Sequence, residues 1–314
     1  MISSILALAL AAAPVAAPAS APATTFTTSP ALNPWAVQFD LPSAITGRTY
    51  RIYVTKPLGP TPKAGWPVVY VLDADVAFPS LAAQMMMRTV GGDSGAILVG
   101  VAYPNALATM TLRNRDLTPS QPTAEAVATG DFGKPKAEDF GGGEAFHRFM
   151  MQELRPRIAA AYTVDPADQT LMGYSLGGLF TLGVLFRHPE AYRTYVAGSP
   201  SIWWNSREVL KDEAGFAAAV RAGKIAPRLL ITSDAWEQDP AEPALPPPGP
   251  KRDTEVKALA AARMVDNARD LAGRLAALPG RNGYKVRYVL FPEETHTTGI
   301  PAASSRGLVF ALTP

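Results

Sequence analysis

Apolar and polar positions along the chain follow two rhythms, and the two alternate. "WPVVYVL" (Trp66–Leu72) and "GAILVGVAY" (Gly95–Tyr103) are continuous apolar runs, the pattern of strands covered on both faces. "RTYRIYV" (Arg48–Val54) alternates polar with apolar, as a half-buried edge strand does. Shorter apolar runs follow at "QTLMG" (Gln169–Gly173), "YRTYVAGS" (Tyr192–Ser199), "PRLLITS" (Pro227–Ser233) and "KVRYVLF" (Lys285–Phe291). Between them the period lengthens. "GEAFHRFMMQELRPRIAAAY" (Gly143–Tyr162) sets Phe146, Met150, Leu154 and Ile158 on one helix face. "TEVKALAAARMVDNARDLAGRLAALPG" (Thr254–Gly280) reads as one Ala/Leu-rich helix with a Thr start and a Pro-Gly stop. Strands alternating with helices predict an α/β fold, with a mostly parallel central sheet flanked by helices on both faces. One segment breaks the pattern. "DPAEPALPPPGPKRD" (Asp239–Asp253) holds six prolines and is expected to continue neither strand nor helix. It predicts an extended loop that emerges, after a parallel strand, on the face where such sheets bind ligands.

Composition narrows the class. The 314 residues are 47% apolar and 18% charged, enough for a sizeable core of ordinary globular type. No repeat or charge-biased half argues for a split. The expectation is therefore a single domain over residues 25–314 behind a leader of residues 1–24. The first charged side chain is Asp40, and "ILALALAAA" (Ile5–Ala13) runs into the small-residue stretch "PVAAPASAPA". That leader reads as a secretory signal peptide, although its start lacks the usual Lys or Arg. Its apolar run is short of the roughly 20 residues that cross a bilayer. The expected location is thus periplasmic or secreted, with no integral membrane span. A net charge of +2 gives no basic face for nucleic acid. Cysteine is absent and only three histidines occur, which excludes disulfides, thiol chemistry and Cys-containing zinc sites.

The sharpest signal is "GYSLG" (Gly173–Gly177), a G-x-S-x-G string between the short apolar strand "QTLM" and the apolar helix "GLFTLGVLFRHP". In such a nucleophile elbow, a serine occupies a strained strand-to-helix turn and the flanking glycines allow close approach of neighbouring elements. Ser175 is then the candidate nucleophile, and the Leu176 amide faces a developing oxyanion. Serine needs a base. His147 lies inside a helix upstream of the serine, and His188 sits at the far end of the helix that begins at the elbow. His296, in "FPEETHTTGIP" after the last strand, completes the chain order Ser, acid, His. The acid is expected on the loop "LLITSDAWEQDP", which offers Asp234, Glu237 and Asp239. Glu293 and Glu294 adjoin His296 in sequence, and adjacent residues seldom hold the far side of a ring. Spacing alone does not choose among the three, and a Ser–His dyad stays open.

From about Arg48 onward the chain resembles the esterase D-like branch of the α/β-hydrolases, and within it the enterochelin-esterase-like trilactone hydrolases. The likeness rests on "PVVYVLDADVAF" (Pro67–Phe78), "RNRDLTPS" (Arg113–Ser120), "GGGEAFHRFMMQELRPRIAAAY" (Gly141–Tyr162), "GYSLGGLF" (Gly173–Phe180), "HPEAY" (His188–Tyr192) and "AGSPSIWW" (Ala197–Trp204). The resemblance implies an α/β-hydrolase fold and a second oxyanion donor from the Asp75 amide in "LDAD", where Ala74 replaces the family's glycine. It favours Glu237 as the acid, with Asp234 as second choice. It also offers Arg113, Trp203, Trp204 and Tyr174 as substrate contacts, the tryptophan pair fitting packing equally well.

The expected activity is ester hydrolysis through an acyl-enzyme, with a small-molecule ester as partner and no cofactor or resident metal. Three scattered histidines show no H-E-x-x-H spacing. The resemblance nominates catecholate siderophore trilactones. A general or feruloyl-type carboxylesterase, and a mycolyltransferase-like acyltransferase, share the same machinery. A catalytically silent binding protein is the alternative from another class. Oligomeric state is left open.

Overall fold

Eight strands form one sheet in the order β1-β2-β4-β3-β5-β6-β7-β8. They are β1 (Val37–Pro42), β2 (Thr49–Thr55), β3 (Trp66–Val71), β4 (Ile97–Ala102), β5 (Val164–Tyr174), β6 (Thr194–Gly198), β7 (Arg228–Asp234) and β8 (Lys285–Phe291). β1, β2 and β4 pair antiparallel, and every pairing from β4 through β3 to β8 is parallel. The computed structural model describes residues 34–105, 109–129 and 136–313. The expected leader lies outside them, and Pro34 onward forms one compact unit.

The helices are α1 (Ala74–Val90), α2 (Thr109–Leu117), α3 (Ala124–Thr129), α4 (Gly143–Phe149), α5 (Arg155–Ala161), α6 (Leu176–Arg187), the single turn α7 (Trp204–Arg207), α8 (Glu213–Arg221), α9 (Pro250–Ala262), α10 (Met264–Ala276) and α11 (Ile300–Leu312). Alternation along the strands assigns them to two layers. Val69, Val71, Leu98 and Met172 face one way, into a cluster with Phe78, Leu81 and Leu308 of α1 and α11. Val68, Tyr70, Val99 and Leu171 face the other way, with Phe146, Leu182 and Leu271 of α4, α6 and α10. Both faces are covered, which is why these strands read as unbroken apolar runs. The architecture is the α/β-hydrolase fold.

Several expectations need correction. The alternation of Arg48–Val54 predicts a sheet edge, but β2 is interior and β1 takes the edge. The segment Thr254–Gly280 is two helices, because Arg263 adopts a left-handed φ of 49° between α9 and α10. The Pro-rich loop ends earlier than expected. Pro250 opens α9 after Gly249, whose φ is 147°, since proline at the first helical position gives up an amide that lacks an intrahelical partner anyway. The Gly143–Tyr162 helix carries a wide turn at Met150–Leu154, where the Arg155 amide donates to the Met150 carbonyl five residues back. Pro156 follows, and its ring needs room against the preceding turn. The expected apolar face survives: Phe146, Met150, Leu154 and Ile158 are all buried.

Candidate active site

Strand β5 delivers Tyr174 and helix α6 starts at Leu176, leaving Ser175 to make the turn alone. Its φ of 59° and ψ of −119° are rarely adopted by a residue with a side chain. The surroundings hold it there. The Ser175 amide donates to the Gly198 carbonyl at 2.9 Å, and the Ser201 amide donates back to the Ser175 carbonyl at 3.1 Å. A Cβ on Gly173 would sit 2.3 Å from the Gly177 carbonyl oxygen, and one on Gly178 would sit 2.7 Å from that of Gly198. Gly178 lies outside the five-residue motif, yet it too is packed against backbone.

His296 lies on the loop after β8. Its Nε2 is 2.9 Å from Ser175 Oγ and its Nδ1 is 2.8 Å from Glu237 Oε2. Glu237 closes a short turn after β7, where its other oxygen, Oε1, accepts the Asp234 amide at 3.0 Å in a reciprocal capping box. The Trp236 amide donates to the Glu294 carbonyl at 2.9 Å, tying the acid loop to the histidine loop. Glu237 is 1% exposed, whereas the His296 side chain stays 37% exposed. The row runs from a buried carboxylate to a reachable hydroxyl.

Asp234 stands beside this row and does not reach the imidazole nitrogens. Its carboxylate accepts from Ser199 Oγ at 2.7 Å and from the Tyr174 phenol. The Tyr174 oxygen is also 2.8 Å from the His296 carbonyl, so one hydroxyl links the elbow to both loops. Burial pushes the Tyr174 phenol upward, with the Asp234 charge adding to it, and this keeps its proton in place. Burial likewise raises the Asp234 carboxyl, against the hydrogen bonds from Tyr174 and Ser199.

Leu176 and Asp75 occupy the first turns of α6 and α1. Arg113 joins these two starts: its Nε donates to Asp73 Oδ1 at 2.7 Å, and its Nη2 reaches the Tyr174 carbonyl at 3.5 Å. Its charge is engaged with Asp73. Trp204 corrects the substrate-contact expectation, because it is fully buried and stacked on Phe140 with ring centroids 5.5 Å apart. Trp203 is only half-buried beside it. Two further serines stand near the site, both inside the "AGSPSIWW" landmark, which assigns a role to neither. Ser199 holds Asp234, and the buried Ser201 brings its Oγ to 3.4 Å from Ser175 Oγ. Both lie in "GSPS" directly after β6, a short polar run after an apolar strand that could have drawn attention. Among the described residues, the histidines and carboxylates close enough together to share a metal ion are Glu144, His147 and His188.

A mostly parallel sheet with a left-handed serine at its central strand-to-helix turn, and a histidine and carboxylate on the last two strand exits, defines an α/β-hydrolase. Residues 43–241 match the family model described as Putative esterase. The ferri-bacillibactin esterase BesA of Bacillus subtilis (strain 168) is 35% identical over 271 residues, covering 85% of this chain and 86% of that protein. The siderophore triacetylfusarinine C esterase of Aspergillus fumigatus is 31% identical over 276 residues, covering 83% and 88%. The crystal structure of the BES protein from Bacillus cereus superposes with a TM-score of 0.76 at 29% identity, covering 92% of this chain and all of that one. The chain belongs to this esterase family, and it is a carboxylic ester hydrolase of the serine class.

Proposed function

We propose that Ser175, His296 and Glu237 form the catalytic triad of an esterase that opens siderophore esters. The observation carrying the mechanism is the unbroken row from Glu237 Oε2 through both His296 nitrogens to Ser175 Oγ. Glu237 fixes the proton on Nδ1, which leaves Nε2 free to accept the serine proton as Oγ attacks the ester carbonyl. The amides of Leu176 and Asp75, at the starts of α6 and α1, receive the oxyanion. Collapse expels the alcohol, which takes the proton back from Nε2. Water then attacks the acyl-enzyme by the same route and releases the acid. Arg113 serves by fixing Asp73 and the start of α1 against the elbow, and the half-exposed Trp203 is the candidate for substrate contact.

Support for the substrate class comes from the relatives, whose names specify ferri-bacillibactin and triacetylfusarinine C. A catecholate trilactone is the form we favour, and the leader's composition supports a location outside the cytoplasm. The test compares a ferric catecholate trilactone, a ferric hydroxamate ester and a short p-nitrophenyl ester, in the wild type and in Ser175→Ala. The trilactone is expected to turn over fastest, and Ser175→Ala to lose roughly 10⁴-fold or more in kcat/KM on every substrate. Preferential turnover of the aryl ester would overturn the substrate assignment, and an active Ser175→Ala would overturn the nucleophile.

A further inference from the structure

The chain has three histidines. One is His296, and the other two meet at the far end of α6. His188 closes that helix and His147 lies in α4, with ring centroids 4.6 Å apart. Glu144, one turn before His147, brings its Oε2 to 3.4 Å from His188 Nε2. One donor atom from each residue lies within 4.8 Å of the other two. Two imidazoles and a carboxylate thus converge from positions i and i+3 of one helix and from the end of another.

The Glu144–His188 contact accounts for itself as a carboxylate oxygen beside an imidazole nitrogen. His147 is different: it is 5% exposed, yet its Nε2 has no hydrogen-bond partner among the described residues. A buried imidazole nitrogen ordinarily finds a partner, and in the tautomer with its proton on Nδ1 this Nε2 offers a lone pair to a metal ion. The three residues line a surface cavity of about 320 Å³ together with Gln152 and Glu190, so an ion has an entry path and room for water on its open positions. Two guanidiniums also border the cavity. Arg155 is engaged elsewhere, donating to the Ala191 carbonyl at 2.8 Å and lying over the Tyr192 ring, and Arg148 is exposed.

We propose that Glu144, His147 and His188 bind one divalent first-row transition metal ion, for which Zn²⁺ is the probe. Imidazole nitrogen with carboxylate suits zinc and its neighbours, whereas magnesium and calcium take all-oxygen shells. In a tetrahedral zinc site the donor atoms stand about 3.3 Å apart, given metal–ligand bonds of roughly 2.0–2.1 Å. The Glu144–His188 pair already has that spacing, and their partly exposed side chains are free to close on His147. The ion joins α4 to the end of α6. Ser175 stands at the other end of α6, roughly 20 Å away at 1.5 Å per residue, so the ion braces the helices and takes no part in ester chemistry.

The test is calorimetric titration of EDTA-stripped protein with Zn²⁺, and with Mg²⁺ in parallel, for the wild type, His188→Ala, Glu144→Gln and His296→Ala. One Zn²⁺ per chain, no Mg²⁺ and a raised unfolding midpoint are expected for the wild type. Affinity is expected to fall on the order of a hundredfold in His188→Ala, to fall less in Glu144→Gln, and to be unchanged in His296→Ala. Circular dichroism and ester turnover of His188→Ala check that the variant is folded. Zinc binding that survives His188→Ala, binding lost in His296→Ala because the ion sits beside Ser175, or no binding in the wild type would each overturn the proposal.

Discussion

Glu237 gives its two carboxylate oxygens to two different partners, one to the His296 ring and one to the Asp234 amide. Glutamine has only one such oxygen. In Glu237→Gln, the oxygen is kept by the Asp234 amide, the new NH₂ group faces Nδ1, and the ring proton is driven to Nε2. That nitrogen then has no lone pair for the serine proton. A fall in kcat/KM of about 10⁴-fold with an unchanged unfolding midpoint is expected from steady-state assays; a fall below about tenfold would mean that Ser175 and His296 act as a dyad. Tyr174→Phe removes the hydroxyl shared by Asp234 and His296. It is expected to cost about 1–3 kcal/mol in urea unfolding, the usual penalty for a buried acceptor left unmatched. Much at this scale is legible in the amino-acid sequence. Ser175 is marked by its glycines and flanking elements, and His296 stands out because the other two histidines occupy helices. Spacing does not separate Glu237 from Asp234 or Asp239, because the three lie within six residues on one loop. The capping turn decides between the first two, by aiming Glu237 at the ring and Asp234 at Tyr174 and Ser199.

The elbow works as an element because backbone lies where side chains would otherwise be. Alanine at Gly173 or Gly178 meets main-chain oxygen at 2.3 or 2.7 Å, and main chain cannot step aside cheaply. Each substitution is expected to lose about 1–3 kcal/mol or more. Gly273 in α10 has nothing within 4 Å of its added Cβ, so Gly273→Ala is expected to gain about 0.5–1 kcal/mol. Urea midpoints for the three variants check the contrast. The strands and the Gly143–Tyr162 helix face are legible because burial on one or both sides writes itself into periodicity. Other features have no such imprint. β1 is mostly exposed along its length and offers little apolar pattern. Nothing in "AAARMVD" distinguishes Arg263 from a residue in mid-helix, yet it turns left-handed between α9 and α10.

Across the whole molecule, Asp116 gathers the antiparallel end of the sheet. Its carboxylate accepts from Arg48 and from the Tyr50 hydroxyl, both at 2.9 Å, and from the Tyr103 hydroxyl at 3.1 Å. Burial nevertheless outweighs these partners and pushes its carboxyl up to about 6. The unfolded value is about 3.9, so between the two the native state holds more protons and this group's contribution to stability falls as pH rises. Asp116→Asn does not titrate. Relative to wild type, it is expected to gain on the order of 1 kcal/mol between pH 5 and pH 7 in urea unfolding; a constant difference would show that Asp116 ionises alike in both states. The convergence of His147 with His188 also belongs to this scale, since they stand 41 positions apart in the chain and the packing of α4 on α6 makes them neighbours. The exit of β8 has another consequence. It carries His296, and β8 is the last strand of the sheet, bonded only to β7. Stability is not uniform across a structure, and a strand with a ladder on one side only has fewer backbone bonds to lose when it opens. If His296 is the base, turnover is therefore expected to vanish under rising urea while the circular dichroism is still native.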